Sequence, residues 1–336
     1  MPPEAPDHAP LRTAVVGTGA LGRHHVRLLS QLAGSRLVGI HDVDEQRARA
    51  LAEEHGTNAF GELAPLLDEA EAVVVAVPTR SHLEVGLQAL ERGCHVMMEK
   101  PIAADADEAR QLIDAAAEAD RLLAVGHVEF FNPAVQELLR RGVRPRFVEV
   151  QRLSTFTPRS LDVDVVLDLM IHDLQIVAAL DPSEVRDLRA VGMDVLTPHI
   201  DICDVRMELA SGCIVKLTAS RISDTRVRSL RVFGQSSYYS IDYQAQSLKG
   251  FRLAPAGDGE QAEAPTVLGD RAIVPIAAEL ERVEPLHREL SCFLARCAGD
   301  LEAPWVGAED GLAALRRALE IVELSRGRGA ASGGAS

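Results

Sequence analysis

Three stretches of the chain carry side chains whose types and spacing can do chemistry. The first is Gly17-Thr18-Gly19-Ala20-Leu21-Gly22, which follows the apolar run Leu11 to Val16 and opens a helix-like run, Ala20 to Leu32. A Gly-x-Gly-x-x-Gly turn in that setting seats a dinucleotide pyrophosphate. Gly17 permits the tight turn, Gly19 lets main-chain N–H groups approach the phosphates, and Gly22 lets helix and strand pack closely. The helix N-terminus adds about half a positive charge. Asp42 lies twenty residues after Gly22, just past a second apolar run, Leu37 to Ile40. An acid there binds ribose hydroxyls and repels a 2′-phosphate, so the expected cofactor is NAD rather than NADP. An ordinary strand–turn–helix with a surface Asp is the plainer alternative.

The second stretch is Glu99-Lys100-Pro101, at the end of the strand-like run His95 to Glu99. A Lys that ends a buried strand presents its ammonium to a ligand crevice or pairs with Glu99. The third is Val163 to Leu174, in which Asp168 and His172 stand four apart. On a helix they share a face, and nearly everything else from Val165 to Val177 is apolar. An Asp–His pair there is either an oriented acid/base imidazole or a core histidine satisfied by its neighbour.

The elements that must position these groups follow an alternating rhythm. Glu45 to His55 is expected as a helix, Ala72 to Val77 as a buried strand ended by Pro78, and His82 to Arg92 as a helix closed by Gly93. Asp105 and Glu108 have capping-box-like spacing for a helix to about Ala119, and Leu122 to Val125 is a further strand. Strands alternating with helices imply a doubly wound parallel sheet, with ligands at its carboxyl edge. That singles out the loop Pro78-Thr79-Arg80-Ser81-His82 as well as Lys100.

After Gly126 the rhythm changes. Asn132 to Arg141 is helix-like, Arg146 to Leu153 strand-like, and Ile202 to Leu209, Cys213 to Ala219, Arg228 to Phe233 and Tyr238 to Tyr243 follow as strands, the first two alternating. A largely antiparallel sheet, half-buried, is expected, with its other face free for self-association. Ala254 to Asp270 reads as a loop, Val283 to Ala298 and Asp310 to Leu324 as amphipathic helices. The expected domains are 11–126, a dinucleotide-binding Rossmann unit, and 127–326, an α/β unit with an open mixed sheet. Residues 327–336 read as a disordered tail.

Composition narrows the partners. A net charge of −15 argues against nucleic acid and an anionic membrane surface, and no apolar run approaches the roughly 20 residues of a membrane span. Met1 to Pro10 lacks the apolar core of a secretion signal. Five cysteines without C-x-x-C spacing point to core packing in a reducing cytoplasm, not to disulfides or zinc.

Together, the glycine turn, Glu99-Lys100-Pro101 and Asp168-x-x-x-His172 resemble the Gfo/Idh/MocA oxidoreductases, over about Leu11 to Leu324. The resemblance implies NAD(P)-dependent hydride transfer at a sugar-like carbinol. Lys100 and His172 match the family's acid/base and substrate-hydroxyl contacts, and Asp168 the acid that positions substrate or imidazole. Gly17 to Gly22, Asp42, Pro78, Thr79, His82, Glu99 and Lys100 are the expected cofactor contacts. Many members carry a glycine run where Asp162 to Leu167 stand. The stretches Gly126 to Pro133, Phe156 to Ser160 and Leu169 to Asp173 are similar to a subgroup that oxidises the 3-hydroxyl of UDP-N-acetylglucosamine on the way to 3-amino lipid A. His127, Arg152, Arg159 and His172 are then the candidate substrate contacts, with the two arginines offered to the diphosphate. A homodimer or homotetramer is expected. The alternatives are a dehydrogenase of a free sugar, an inositol or another sugar nucleotide, and a catalytically inactive NAD-bound sensor.

Overall fold

The computed structural model describes residues 9–157, 163–255 and 266–329. The chain divides into two units. One holds the residues up to Phe131 together with Glu284–Leu315; the other holds Asn132–Val283 together with the residues from Arg316 on.

The first unit is built on six parallel strands, β1 (Leu11–Val16), β2 (Ser35–His41), β3 (Asn58–Phe60), β4 (Ala72–Val75), β5 (His95–Glu99) and β6 (Leu123–Gly126), in the order β3-β2-β1-β4-β5-β6. Every residue of β4 and β6 is buried, as a parallel sheet covered on both faces requires. The crossovers are α1 (Gly22–Leu29), α2 (Glu45–His55), α3 (Leu63–Glu69), α4 (His82–Glu91) and α5 (Ala106–Glu118). Local chemistry sets their ends. Asp44 caps α2 by accepting the Arg47 N–H, and Gly56 closes it at φ +65°. Asp105 caps α5 by accepting the N–H groups of Asp107 and Glu108, while Glu108 reaches back to Ala104. A late return of the chain completes the core. Leu290, Phe293 and Leu294 of α8 (Pro285–Cys297) pack with Val26 and Leu29 of α1 and with Val15, Ile40 and Met97 of the sheet. Helix α8 therefore belongs to the first unit, although the rhythm of the sequence ends that unit at Gly126.

The second unit carries a nine-stranded sheet: β7 (Phe147–Leu153), β8 (Val185–Met193), β9 (Ile202–Leu209), β10 (Ile214–Ser220), β11 (Val227–Phe233), β12 (Ser237–Asp242), β13 (Ser247–Pro255), β14 (Thr266–Leu268) and β15 (Arg271–Ala277). The order is β14-β15-β13-β12-β11-β7-β10-β9-β8, antiparallel except for the β7–β10 pair. Alternation decides which face is covered: Cys203, Val205, Met207 and Leu209 are buried while Asp204 and Arg206 are exposed. Helix α6 (Pro133–Arg140) packs on β12 and β13 and against α7 (Ile171–Leu180). Thr266–Leu268, expected inside a loop, pairs with β15; residues 256–265 lie outside the described residues. Helix α9 (Ala308–Gly329) continues past Leu324, where the amphipathic pattern ends. The five cysteines are free thiols, and burial pushes Cys94, Cys203, Cys213 and Cys292 up to about 11. No helix among the described residues is long and apolar enough to cross a membrane.

Candidate active site

In the first unit the strand order reverses between β1 and β4, the place where an open α/β sheet forms its ligand crevice. Val16 pairs with both His41 and Val75, so the loops after β1, β2 and β4 start level with one another. Two of the three glycines in the first loop are demanded by the protein. Gly17 sits at φ +89°, and a Cβ on it would lie 2.5 Å from the Ala76 carbonyl oxygen; a Cβ on Gly22 would lie 1.8 Å from the Gly17 oxygen. Gly19 is different, because a Cβ there would meet nothing within 4 Å. Its main chain borders open space at the start of α1, which has no side-chain cap and no acid in its first turn. Unmatched N–H groups and the positive end of a helix beside an open glycine cradle fit a diphosphate. Thr18 is buried, while Ala20 and Leu21 are exposed.

Asp42 follows β2 and is 6 % exposed. One carboxylate oxygen accepts the Thr18 N–H (2.6 Å) and hydroxyl (2.9 Å); the other accepts the Asp44 N–H (2.8 Å) and the Arg47 guanidinium (2.7 Å). Burial opposes the charge, but these donors, Arg47 foremost, hold the carboxyl down at about 2. Asp42 is thus an anion beside the glycine turn, and it fastens that turn through Thr18. The Arg47 partnership was not read from the sequence.

The loops after β4 and β5 are joined by His82. Pro78 is exposed and Thr79 half-buried in a short turn that leads into α4. His82 is 1 % exposed, with Nδ1 2.9 Å from the Pro101 carbonyl oxygen and Nε2 3.0 Å from that of Val77. Burial lowers its pKa, with the two carbonyls working the other way. Its imidazole is spent on tying two loops together. Lys100, half-buried, follows Glu99 and is joined to Pro101 by a cis peptide. His127 follows β6 and is fully buried. Burial, then the Lys100 charge, hold its imidazole down at about 3, so it is neutral near pH 7.

In the second unit the segment bearing Asp168 and His172 is not a uniform α-helix. Val166–Met170 form a wide π turn that runs into α7. The N–H groups of Leu167 and Asp168 share the Asp164 carbonyl, each at 3.0 Å. Asp164 is itself anchored, its carboxylate accepting the Ile200 N–H (2.8 Å) and the Arg326 guanidinium (3.0 Å). Single π turns of this kind concentrate at functional sites. Asp168 in the wide turn is half-buried and His172 is 8 % exposed. Arg152 and the next residue, Asp173, make a buried fork. Nε and Nη2 each donate at 2.7 Å to one Asp173 oxygen, and both side chains are 2 % exposed. The guanidinium lies 5.0 Å from the Tyr243 ring centre, and the Tyr243 hydroxyl is 3.4 Å from Asp173. The Arg152 guanidinium thus clamps β7 to the helix that carries His172. Arg159 lies outside the described residues.

Two groups near Lys100 escaped the sequence reading although their signal was there. His25 occupies the apolar stripe Gly22, His25, Val26, Leu29 of α1, and Glu289 the stripe Leu286, Glu289, Leu290, Phe293 of α8. A polar residue at core spacing marks a buried polar network.

The family model for the oxidoreductase family with an NAD-binding Rossmann fold (GFO_IDH_MocA) matches residues 11–127. The UDP-N-acetylglucosamine 3-dehydrogenase of Acidithiobacillus ferrooxidans is 36 % identical over 287 residues, 84 % of this chain and 91 % of that protein. Its solved structure superposes with a TM-score of 0.84, at 33 % identity, over 94 % of this chain and 98 % of that one. The inositol 2-dehydrogenase of Rubrobacter xylanophilus is 32 % identical, but over 56 % of this chain and 57 % of its own length. An inositol dehydrogenase homologue from Azotobacter vinelandii, solved with NADH and myo-inositol, shares the fold at TM-score 0.78 and 18 % identity, with 94 % of this chain and 96 % of that one covered.

Proposed function

The chain belongs to the Gfo/Idh/MocA oxidoreductases, NAD-dependent enzymes acting on CH–OH donors, and we propose that its substrate is a sugar nucleotide, UDP-N-acetylglucosamine, oxidised at the 3-hydroxyl to the ketone. The observation that carries this reading is the 36 % identity to a UDP-N-acetylglucosamine 3-dehydrogenase along 91 % of that protein's length. Bound NAD+ supplies the hydride acceptor. The chain's own residues bind, orient and handle the proton. The Gly17–Gly22 turn holds the diphosphate, and the Asp42 carboxylate takes the adenosine ribose hydroxyls. As the substrate C–H bond gives up its hydride, the O–H proton passes to Lys100 or His172, with Asp168 orienting the substrate or the imidazole. Pro78, Thr79 and Glu99 line the cofactor side.

A panel of UDP-sugars, free sugars and myo-inositol with NAD+, read at the NADH absorbance band, tests the assignment. UDP-N-acetylglucosamine is expected to exceed every free sugar or inositol in kcat/KM by about tenfold or more, the scale a well-held diphosphate adds. Preference for an unphosphorylated polyol, with no thermal stabilisation by UDP alone, would refute the substrate. The same reading puts the product before a transamination to a 3-amino sugar for lipid A. Five unpaired cysteines fit a reducing cytoplasm. The exposed sheet face supports a homodimer or homotetramer. Phe147, Phe233, Tyr238 and Phe251 stand at paired positions of four neighbouring strands, rings 4.8–6.3 Å apart. Light scattering on a Phe233→Glu/Phe251→Glu variant checks that assignment by loss of the oligomer.

A further inference from the structure

The first unit surrounds the Lys100 turn with groups that the proposed chemistry does not use. His25, from α1, is 1 % exposed and its Nε2 lies 2.8 Å from Glu99 Oε1. The other oxygen, Glu99 Oε2, accepts the main-chain N–H of Lys100 at 3.2 Å. Gly126, opposite Glu99 in β6, leaves the room: a Cβ there would lie 3.2 Å from Oε2. We propose that His25 is a positioning residue for the reaction, a strut from the cofactor-binding helix that holds Glu99, which in turn holds Lys100. His25 stands three residues after Gly22. The helix whose N-terminus receives the diphosphate is therefore tied by one side-chain bond to the turn that carries the proton-handling amine.

The electrostatics agree with this geometry. Burial alone would raise the Glu99 carboxyl. The His25 hydrogen bond and imidazole, followed by the Lys100 ammonium, more than offset it and hold Glu99 ionised. A second carboxyl faces Glu99: Glu289 of α8 is 1 % exposed, and neither of its oxygens has a hydrogen-bond partner among the described residues. Burial, and then the charge of Glu99, push it well above the carboxylate range, so it stays protonated. His127 after β6 is neutral, and His82 of α4 is occupied by the carbonyls of Val77 and Pro101. Two neighbouring carboxyls are thus driven apart, and the single negative charge falls on the one that His25 and Lys100 share.

The inference rests on Lys100 as the proton-handling group, and its test needs no turnover. The chain has only three lysines, Lys100, Lys216 and Lys249. Protein labelled with ¹³C-lysine therefore gives three side-chain signals, and Lys100→Arg identifies the one that reports Glu99. In the wild type Glu99 should put no inflection into that signal between about pH 8 and about pH 5, since it ionises below its ordinary value of about 4.3. In His25→Leu the carboxyl loses its donor, and an inflection should enter that window, raised by about one unit or more. His25→Gln, which keeps a donor at the Nε2 position, should remove that Glu99 inflection again. If His25→Leu does not fold, His25→Asn, too short to reach Glu99, gives the same reading. No added inflection in the leucine or asparagine variant, or one of equal size in the glutamine variant, overturns the inference. Full activity of Lys100→Ala would instead remove the catalytic reading of Lys100, a separate result.

Discussion

The Arg152–Asp173 fork sets a structural role beside the diphosphate contact expected of the same arginine. As a diphosphate ligand it would matter to binding; as the structure places it, it matters to folding. Both side chains are 2 % exposed and both bonds are 2.7 Å. Removing one partner leaves the other's charge buried without the opposite charge it faces, which costs roughly 3–5 kcal/mol. For a unit of this size each kcal/mol lowers Tm by about 2–4 °C, so Arg152→Met or Asp173→Asn should lower it by about 6–20 °C. The double variant Arg152→Met/Asp173→Leu replaces the pair by apolar groups and should lose less than either single variant. The aromatic residues separate the signals. All three tyrosines, Tyr238, Tyr239 and Tyr243, lie in the second unit, and the one tryptophan, Trp305, in the first. Urea unfolding followed by near-ultraviolet circular dichroism in the tyrosine band should show the loss, while the tryptophan transition moves less. Single variants that cost under about 1 kcal/mol, the worth of an exposed pair, would refute the reasoning. A tenfold rise in KM for the UDP-sugar at unchanged stability would return Arg152 to the diphosphate.

The glycines of the cofactor turn should respond in opposite ways. Gly19→Ala, with open space around its Cβ, should leave stability within about 0.5 kcal/mol yet weaken NAD binding measured by calorimetry, whereas Gly22→Ala, facing the Gly17 carbonyl oxygen at 1.8 Å, should destabilise by about 1–3 kcal/mol or more. Lys100→Ala should lower kcat by about 10²–10⁴-fold with NADH affinity, followed by fluorescence titration, preserved. Glu289 supplies a pH prediction. Its carboxyl is raised in the folded state, so the native protein binds that proton more tightly than the unfolded chain does. Stability from this group is therefore full below the unfolded pKa of about 4.3 and declines as pH rises above it. Glu289→Gln removes the decline, so its advantage over wild type in urea midpoints should grow from pH 5 to pH 8 (roughly the span of carboxylate and imidazole titration). A constant gap would contradict a protonated Glu289.

Much of this arrangement is legible in the sequence where one local rule dominates. Helix Glu45–His55 ends at a left-handed glycine, strand His95–Glu99 is an apolar run stopped before Pro101, and Ile202–Leu209 alternates strictly. What escaped depends on partners far along the chain. Strand β3 is three residues long and exists by pairing with β2. The π turn at Asp168 depends on Asp164 being anchored by Ile200 and Arg326. The glycine spacing revealed the tight turn Gly17–Gly22, but not that Thr18 and Arg47 share the Asp42 carboxylate beside it. The Arg152 fork shows the limit most clearly: residue type suggested a phosphate ligand, and only the register of β7 against α7 reveals the carboxylate it grips.

Helix α8 has a consequence for biosynthesis. The sheet that receives the nucleotide is roofed by Leu290, Phe293 and Leu294, which leave the ribosome only after Asn132–Val283 have been made. An amino-terminal fragment stopped at Phe131 would show an uncovered apolar surface to the cell. The nascent chain must shelter that surface, by a chaperone or by transient collapse, until translation is nearly finished. Dividing this protein into two genes at the apparent domain boundary would then yield an insoluble first half, whereas a permuted chain that begins with α8 would keep its roof.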